Sequence, residues 1–127
     1  MEAEKSNKKT LIAGATTDPS RYAFTAATFL SRMKFPFVPI GIKKGNVLGE
    51  EILPLREKPE IDDIHTITMY MNQDHQREWE DYFLSLKPQR IIFNPGAQNP
   101  SFFKEAEALG IDCLNACALV MISTGQY

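Results

Sequence analysis

The chain has 127 residues, of which 43% are apolar and 24% charged, proportions of an ordinary globular protein that exclude a disordered, collagen-like or low-complexity chain. Fourteen Lys and Arg against sixteen Asp and Glu leave a formal charge of −2, which argues against a broad nucleic-acid footprint. No apolar run approaches the roughly 18 residues of a membrane span, the polar stretch Met1 to Lys9 has no signal-peptide core, and the two cysteines, Cys113 and Cys117, suit neither a disulfide framework nor a zinc site. The expectation is therefore a cytoplasmic protein with reduced thiols, no membrane or nucleic-acid partner, and one domain over residues 1–127, residues 1–8 forming a flexible tail.

Thr10 to Gly14 reads as a buried strand ending in glycine. Pro19 to Lys34 follows as a helix, with Asp18 where an N-cap is wanted, proline at the first helical position, and Tyr22, Ala26, Phe29, Leu30 and Met33 at helical spacing. Phe37 to Ile42 is a second strand, and Pro36 and Pro39 argue against a central place for it. Gly45 to Pro59 reads as an irregular crossover holding one short extended piece, Glu51 to Leu53. Asp63 to Met71 is a third strand, and Gln73 to Leu86 a helix ended by Lys87-Pro88, whose charge-alternating stretch Gln76 to Asp81 is expected to face water. Arg90 to Phe93 is a fourth strand, Pro100 to Leu109 a helix with Asn99 at its N-cap and Gly110 past its end, Ile111 to Leu114 a fifth strand, and Ala116 to Ser123 a last helix capped by Asn115.

Strands alternating with helices predict an α/β fold, a doubly wound, mostly parallel five-stranded sheet of Rossmann-like type in the order 3-2-1-4-5, with helices on both faces. Ligands of such sheets sit outside the carboxyl ends of the strands, which directs attention to the loops there. After strand one, Gly14, Ala15, Thr16 and Thr17 lead to Arg21, joining a close-approach glycine, hydroxyl donors, a cation and a helix N-terminus, a set that suits a phosphate; Asp18 puts a negative charge nearby and is expected to face away as a cap. The alternative is that Gly14 only makes a tight strand-to-helix turn. The turn lacks the glycines of a dinucleotide fingerprint, and strand two ends in Gly41, Ile42, Lys43 and Lys44 rather than in the acidic residue that a plain NAD ribose wants. A lysine there favours a 2′- or 3′-phosphorylated ADP ligand, although a lysine pair also serves as a solvated turn. Strands three and four end in Met71-Asn72 and Asn94-Pro95-Gly96; Met71 suits an adenine or pantetheine face or the core, and the Asn-Pro-Gly turn suits backbone contact with a ligand or a turn alone.

His65 and His75 have no partner pattern of a catalytic triad, no general acid or base stands out, and no metal-ligand set is present. Cys117, in the first turn of the last helix, is an inert buried cysteine or a candidate thiol beside the cleft, whereas Cys113 reads as core. Three functions remain in view: a nucleotide-ligand module, a small NADP-binding reductase-like protein, and a structural or interaction module that has lost its ligand. A homodimer or a partner protein is left open.

Gly14-Ala15-Thr16 with Pro19, Arg21 and Tyr22, then Pro39-Ile40, Val47-Leu48-Gly49, Phe93-Asn94-Pro95-Gly96 and Cys117, resembles the small single-domain CoA-binding proteins, which are similar to the CoA-binding domain of the succinyl-CoA synthetase alpha subunit. The resemblance spans about Lys8 to Thr124 and rests on the combined order of its motifs. It implies coenzyme A or an acyl-CoA as the ligand, with Gly14 to Thr17 on the diphosphate and Lys43 near the phosphorylated ribose. The sequence departs from the family pattern in having Pro39-Ile40-Gly41-Ile42 where Pro-Val-Asn-Pro is usual, and Asn94-Pro95-Gly96 where many relatives carry an aromatic-Gln-x-Gly segment.

Overall fold

In a computed structural model describing residues 8–127, the chain runs β1 (Thr10–Ala13), α1 (Tyr22–Arg32), β2 (Phe37–Gly41), β3 (Asn46–Val47), β4 (Glu50–Glu51), β5 (Leu53–Pro54), β6 (Thr66–Met69), α2 (Gln73–Gln76), α3 (Glu80–Ser85), β7 (Arg90–Phe93), α4 (Pro100–Ala108), β8 (Asp112–Asn115) and α5 (Ala118–Ser123). Six strands form one parallel sheet in the order β5-β2-β1-β6-β7-β8, and β3 pairs antiparallel with β4 as a separate hairpin. Of the expected tail, residues 1–7 lie outside the described residues, while Lys8 is tied down, its Nζ donating to the Tyr127 main-chain oxygen at 3.0 Å.

The α/β doubly wound class is as the sequence predicts, but strand count and order differ. The expected third strand does not lie outside β2. It is β6, between β1 and β7, and the outer place beside β2 belongs to β5, from the end of the extended piece in the crossover. Alternating threonines make β6 look half-polar, yet all four of its residues are buried. Their hydroxyls find partners inside: Arg90 Nε donates to Thr66 Oγ1 at 2.9 Å and Asn94 Nδ2 to Thr68 Oγ1 at 2.8 Å. Pro39 is tolerated in a strand paired on both sides for a geometric reason. The carbonyls of Pro36 and Ile40 accept from Thr10 and Gly14, so even-numbered residues of this strand turn their polar groups to β1 and Pro39 turns its ring nitrogen the other way, where β5 begins only opposite Ile40.

The sheet is covered on both faces. Leu11, Ala13, Ile67, Met69, Ile91 and Phe93 face one layer of the core with Phe83 and Phe102, the Phe93 and Phe102 rings meeting edge-on at 5.7 Å. Ile12 and Ile92 face the other, under Ala23, Ala27 and Leu30 of α1 and Ile122 of α5. The first helix starts three residues later than its sequence suggests. Asp18 accepts from the Ser20 amide at 2.9 Å and the Ser20 hydroxyl at 2.7 Å, closing a separate turn that uses up the expected cap. The helix expected over Gln73 to Leu86 is broken into α2, one 3-10 turn at Arg77–Trp79, and α3. Its charge-alternating stretch does not simply face water, because Gln76 and Trp79 are buried.

Candidate functional site

At the carboxyl ends of β1 and β2 the two loops are packed against each other. Gly14 has φ +92°, and a Cβ there would stand 3.0 Å from Met71 Cγ, so glycine is required by the backbone and by the loop after β6. A valine at this position would strain the fold before it reached any ligand. Gly41 lets Ala15 come close, since a Cβ on it would lie 2.9 Å from the Ala15 carbonyl oxygen. The same holds for Gly45, where a Cβ would fall 2.5 Å from Thr17 Cγ2; the sequence reading left this contact out. Ala15 and Gly41 are buried, Thr16 half-buried, and Thr17, Arg21, Ile42 and Lys43 exposed around the mouth.

The start of α1 is chemically open. Arg21 sits at the N-cap position and makes no capping hydrogen bond, having no acceptor to offer. The N–H groups of Thr16, Thr17, Tyr22 and Ala23 find no acceptor among the described residues. Unmet donors, the positive end of the helix and the Arg21 guanidinium together can hold an anion. The Asp18 carboxylate is the opposing charge. Its bonds from Ser20 hold its pKa below the ordinary value, and Arg21 and Lys43 lower it further, so the lysine after β2 and the arginine of α1 act on one point of the first turn.

The loop after β7 is different. Asn94 is 3% exposed; its Nδ2 donates to Thr68 Oγ1 at 2.8 Å and to the Met69 carbonyl at 2.9 Å, and its Oδ1 accepts from the Ala118 amide at 2.8 Å. Asn94 thus holds β6, β7 and α5 together and has no donor left over. Pro95 and Gly96 are exposed on the turn that follows, with the Gly96 amide bound to Gln98 Oε1 at 2.9 Å. Asn72 is exposed and caps α2 through the His75 amide at 2.9 Å, and Met71 is half-buried against Gly14. Asn115 is the last residue of β8 rather than a cap, which puts half-buried Cys117 at the N-cap of α5, before its first turn. Burial pushes the Cys113 thiol up to about 11, in keeping with a core role.

Two side chains near the cleft escaped the sequence reading. The Tyr70 hydroxyl is buried without a hydrogen-bond partner among the described residues, and burial, then Cys117 among its neighbours, raises its pKa. Gln76 bridges the loops after β6 and β7. A separate open groove at the amino ends of the strands is lined by Lys9, Pro36, Asp63, Leu86, Lys87 and Gln89, but the Lys9 ammonium there is spent on the Asp62 carbonyl at 2.9 Å. Among the described residues no group of three or more His, Cys, Asp and Glu is placed to hold a metal, and no helix is long and apolar enough to cross a membrane.

The sequence pattern of a family described as a CoA binding domain matches residues 8–123. A crystal structure of an uncharacterized protein is 44% identical over 94% of this chain and 98% of that one, with a TM-score of 0.91. A Thermus thermophilus structure, 21% identical over 99% and 93% of the two chains, has a TM-score of 0.80. A hypothetical protein from Pyrococcus horikoshii, 18% identical over 98% and 91%, also reaches 0.80. The last two support the fold alone. No curated protein matches the chain.

Proposed function

The chain belongs to the CoA binding domain family, and on that premise we propose that it is a cytoplasmic module binding coenzyme A or an acyl-CoA at the carboxyl ends of β1, β2 and β6. The observation that carries this reading is the uncapped start of α1. Three other helices have their first amides answered by asparagine: Asn72 for α2, Asn99 for α4 and Asn94 for α5. Only α1 among these four keeps its donors free, with an arginine at the cap. A diphosphate satisfies those donors. In this reading the amides of Thr16, Thr17, Tyr22 and Ala23 take the diphosphate with Arg21, and Lys43 takes the 3′-phosphate. Ile42 and Met71 offer apolar contact to the adenine or pantetheine, and Cys117 lies toward the thiol end.

Melting curves test the reading. CoA at about 100 times its dissociation constant stabilises by roughly 2.7 kcal/mol, while NAD leaves the curve unmoved. A shift with NADP and none with CoA would favour a reductase-like ligand instead, and no shift with any of the three would favour a module without a ligand.

A further inference from the structure

Gln76 ends the four-residue helix α2, in a stretch whose charges disguise it, and its side chain is fully buried. Its single nitrogen reaches two different loops: Nε2 donates to the Met71 carbonyl at 2.7 Å and to the Ala97 carbonyl at 2.8 Å. Its orientation is fixed from behind, because Oε1 accepts from Asn99 Nδ2 at 2.9 Å, and Asn99 Nδ2 also donates to Glu80 Oε2 at 3.0 Å. Turning the amide over would set oxygen against two carbonyls and nitrogen against a donor.

We propose that Gln76 is a positioning residue of the ligand cleft, fixing the gap between the loop after β6 and the loop after β7; this rests on the CoA reading above. Both bonded carbonyls belong to loops at the carboxyl ends of the strands, and each is tied onward into the cleft. Met71 packs against Gly14, so its displacement is felt in the first turn. The Ala97 amide donates to the Asn94 carbonyl at 2.8 Å, and Asn94 holds the first amide of α5 beside Cys117. A glutamine suits this place because one group with two N–H donors must satisfy two acceptors; methionine and glutamate match its reach and cannot do so.

The test is calorimetric titration with CoA at a temperature where every variant is folded, comparing Gln76→Met and Gln76→Glu with Tyr82→Phe. The last removes a half-buried hydrogen bond to the Pro59 carbonyl, away from the cleft. All three variants are expected to melt lower. Only the Gln76 variants are expected to lose affinity, by about tenfold, as for a buried hydrogen bond of about 1.4 kcal/mol. For Gln76→Glu, the ratio of its Kd to the wild-type Kd at the same pH narrows as pH falls, since the protonated acid regains one donor. That pH signature keeps the proposal testable if Gln76→Met does not fold. Wild-type affinity in folded Gln76→Met, or a ratio for Gln76→Glu that does not change with pH, overturns the positioning role and leaves the CoA reading standing. A wild-type protein that gives no heat with CoA overturns both.

Discussion

After β1 the chain leaves four main-chain N–H groups without acceptors among the described residues and places an arginine where a cap would stand, whereas after β7 the side chain of Asn94 answers Thr68, Met69 and Ala118 and keeps no donor free. Both loops leave the same edge of the same sheet, and both end near a helix N-terminus. One has its polar groups consumed by the fold, and the other has them left over. A buried polar side chain with every bond made is evidence of architecture, while main-chain donors left unanswered beside a cation are evidence of a site.

The largest effect should come from breaking the closed loop. Asn94→Ala leaves the Ala118 amide and the Thr68 hydroxyl without the partners they have in the fold, removes one of two bonds to the Met69 carbonyl, and is expected to destabilise by about 3 kcal/mol in a denaturant titration. The folded fraction should still bind CoA, with a loss no larger than that expected of the Gln76 variants. A large loss of affinity with little loss of stability would reverse the assignment of the two loops.

Closing the open loop should give effects of opposite sign. Arg21→Asp supplies the missing N-cap and is expected to stabilise by about 0.5–1 kcal/mol. The same change removes a cation from the proposed diphosphate site and adds a like charge, so CoA affinity is expected to fall on the order of tenfold to a hundredfold. Calorimetry and thermal melts on one preparation read both numbers. A variant that is more stable and binds equally well would separate the helix start from the ligand.

A smaller effect is expected at Lys43, which is exposed and screened by solvent. Lys43→Ala should weaken CoA by on the order of 1 kcal/mol, about fivefold, and hardly change dephospho-CoA, which lacks the 3′-phosphate. Equal losses for both ligands would move the lysine to the diphosphate or to loop structure.

The smallest effect lies at the other end of the sheet and touches neither loop. His65, whose Nδ1 is 2.7 Å from Thr66 Oγ1, has its pKa lowered by burial and then by Arg90 and Lys8. Between the lowered folded value and the ordinary unfolded value the unfolded chain holds the extra proton. Stability is therefore lost as pH falls below the ordinary imidazole value, and the slope ends below the folded one. His65→Gln should remove this component from the pH profile of denaturation, with CoA binding at neutral pH unchanged.

The layered fold was readable because β1, β7 and α4 carry local signals, an apolar run closed by glycine or asparagine and an Asn-Pro helix start, that the structure repeats within a residue or two. The place of β6 was not readable, since four residues reading Thr-Ile-Thr-Met show their burial only once Arg90 and Asn94 arrive from β7 to satisfy the hydroxyls. In the cleft, the first turn was legible as glycine, hydroxyls and arginine in sequence. The part the Asn94 side chain plays in the fold was not legible, because its partners are 24 to 26 residues away. Gln76 was hidden for the same reason, its second carbonyl being 21 residues distant amid surface charges.

The most direct test of the account is an amide NMR titration of the wild-type protein with CoA. The main-chain signals of Thr16, Thr17, Tyr22 and Ala23 are expected to shift downfield on saturation, as free N–H groups meet a phosphate, while the Asn94 side-chain amide pair, already bonded within the fold, stays nearly in place. Shifts centred on Asn94 and Ala118 with the first turn silent, or no shifts at all, would contradict it.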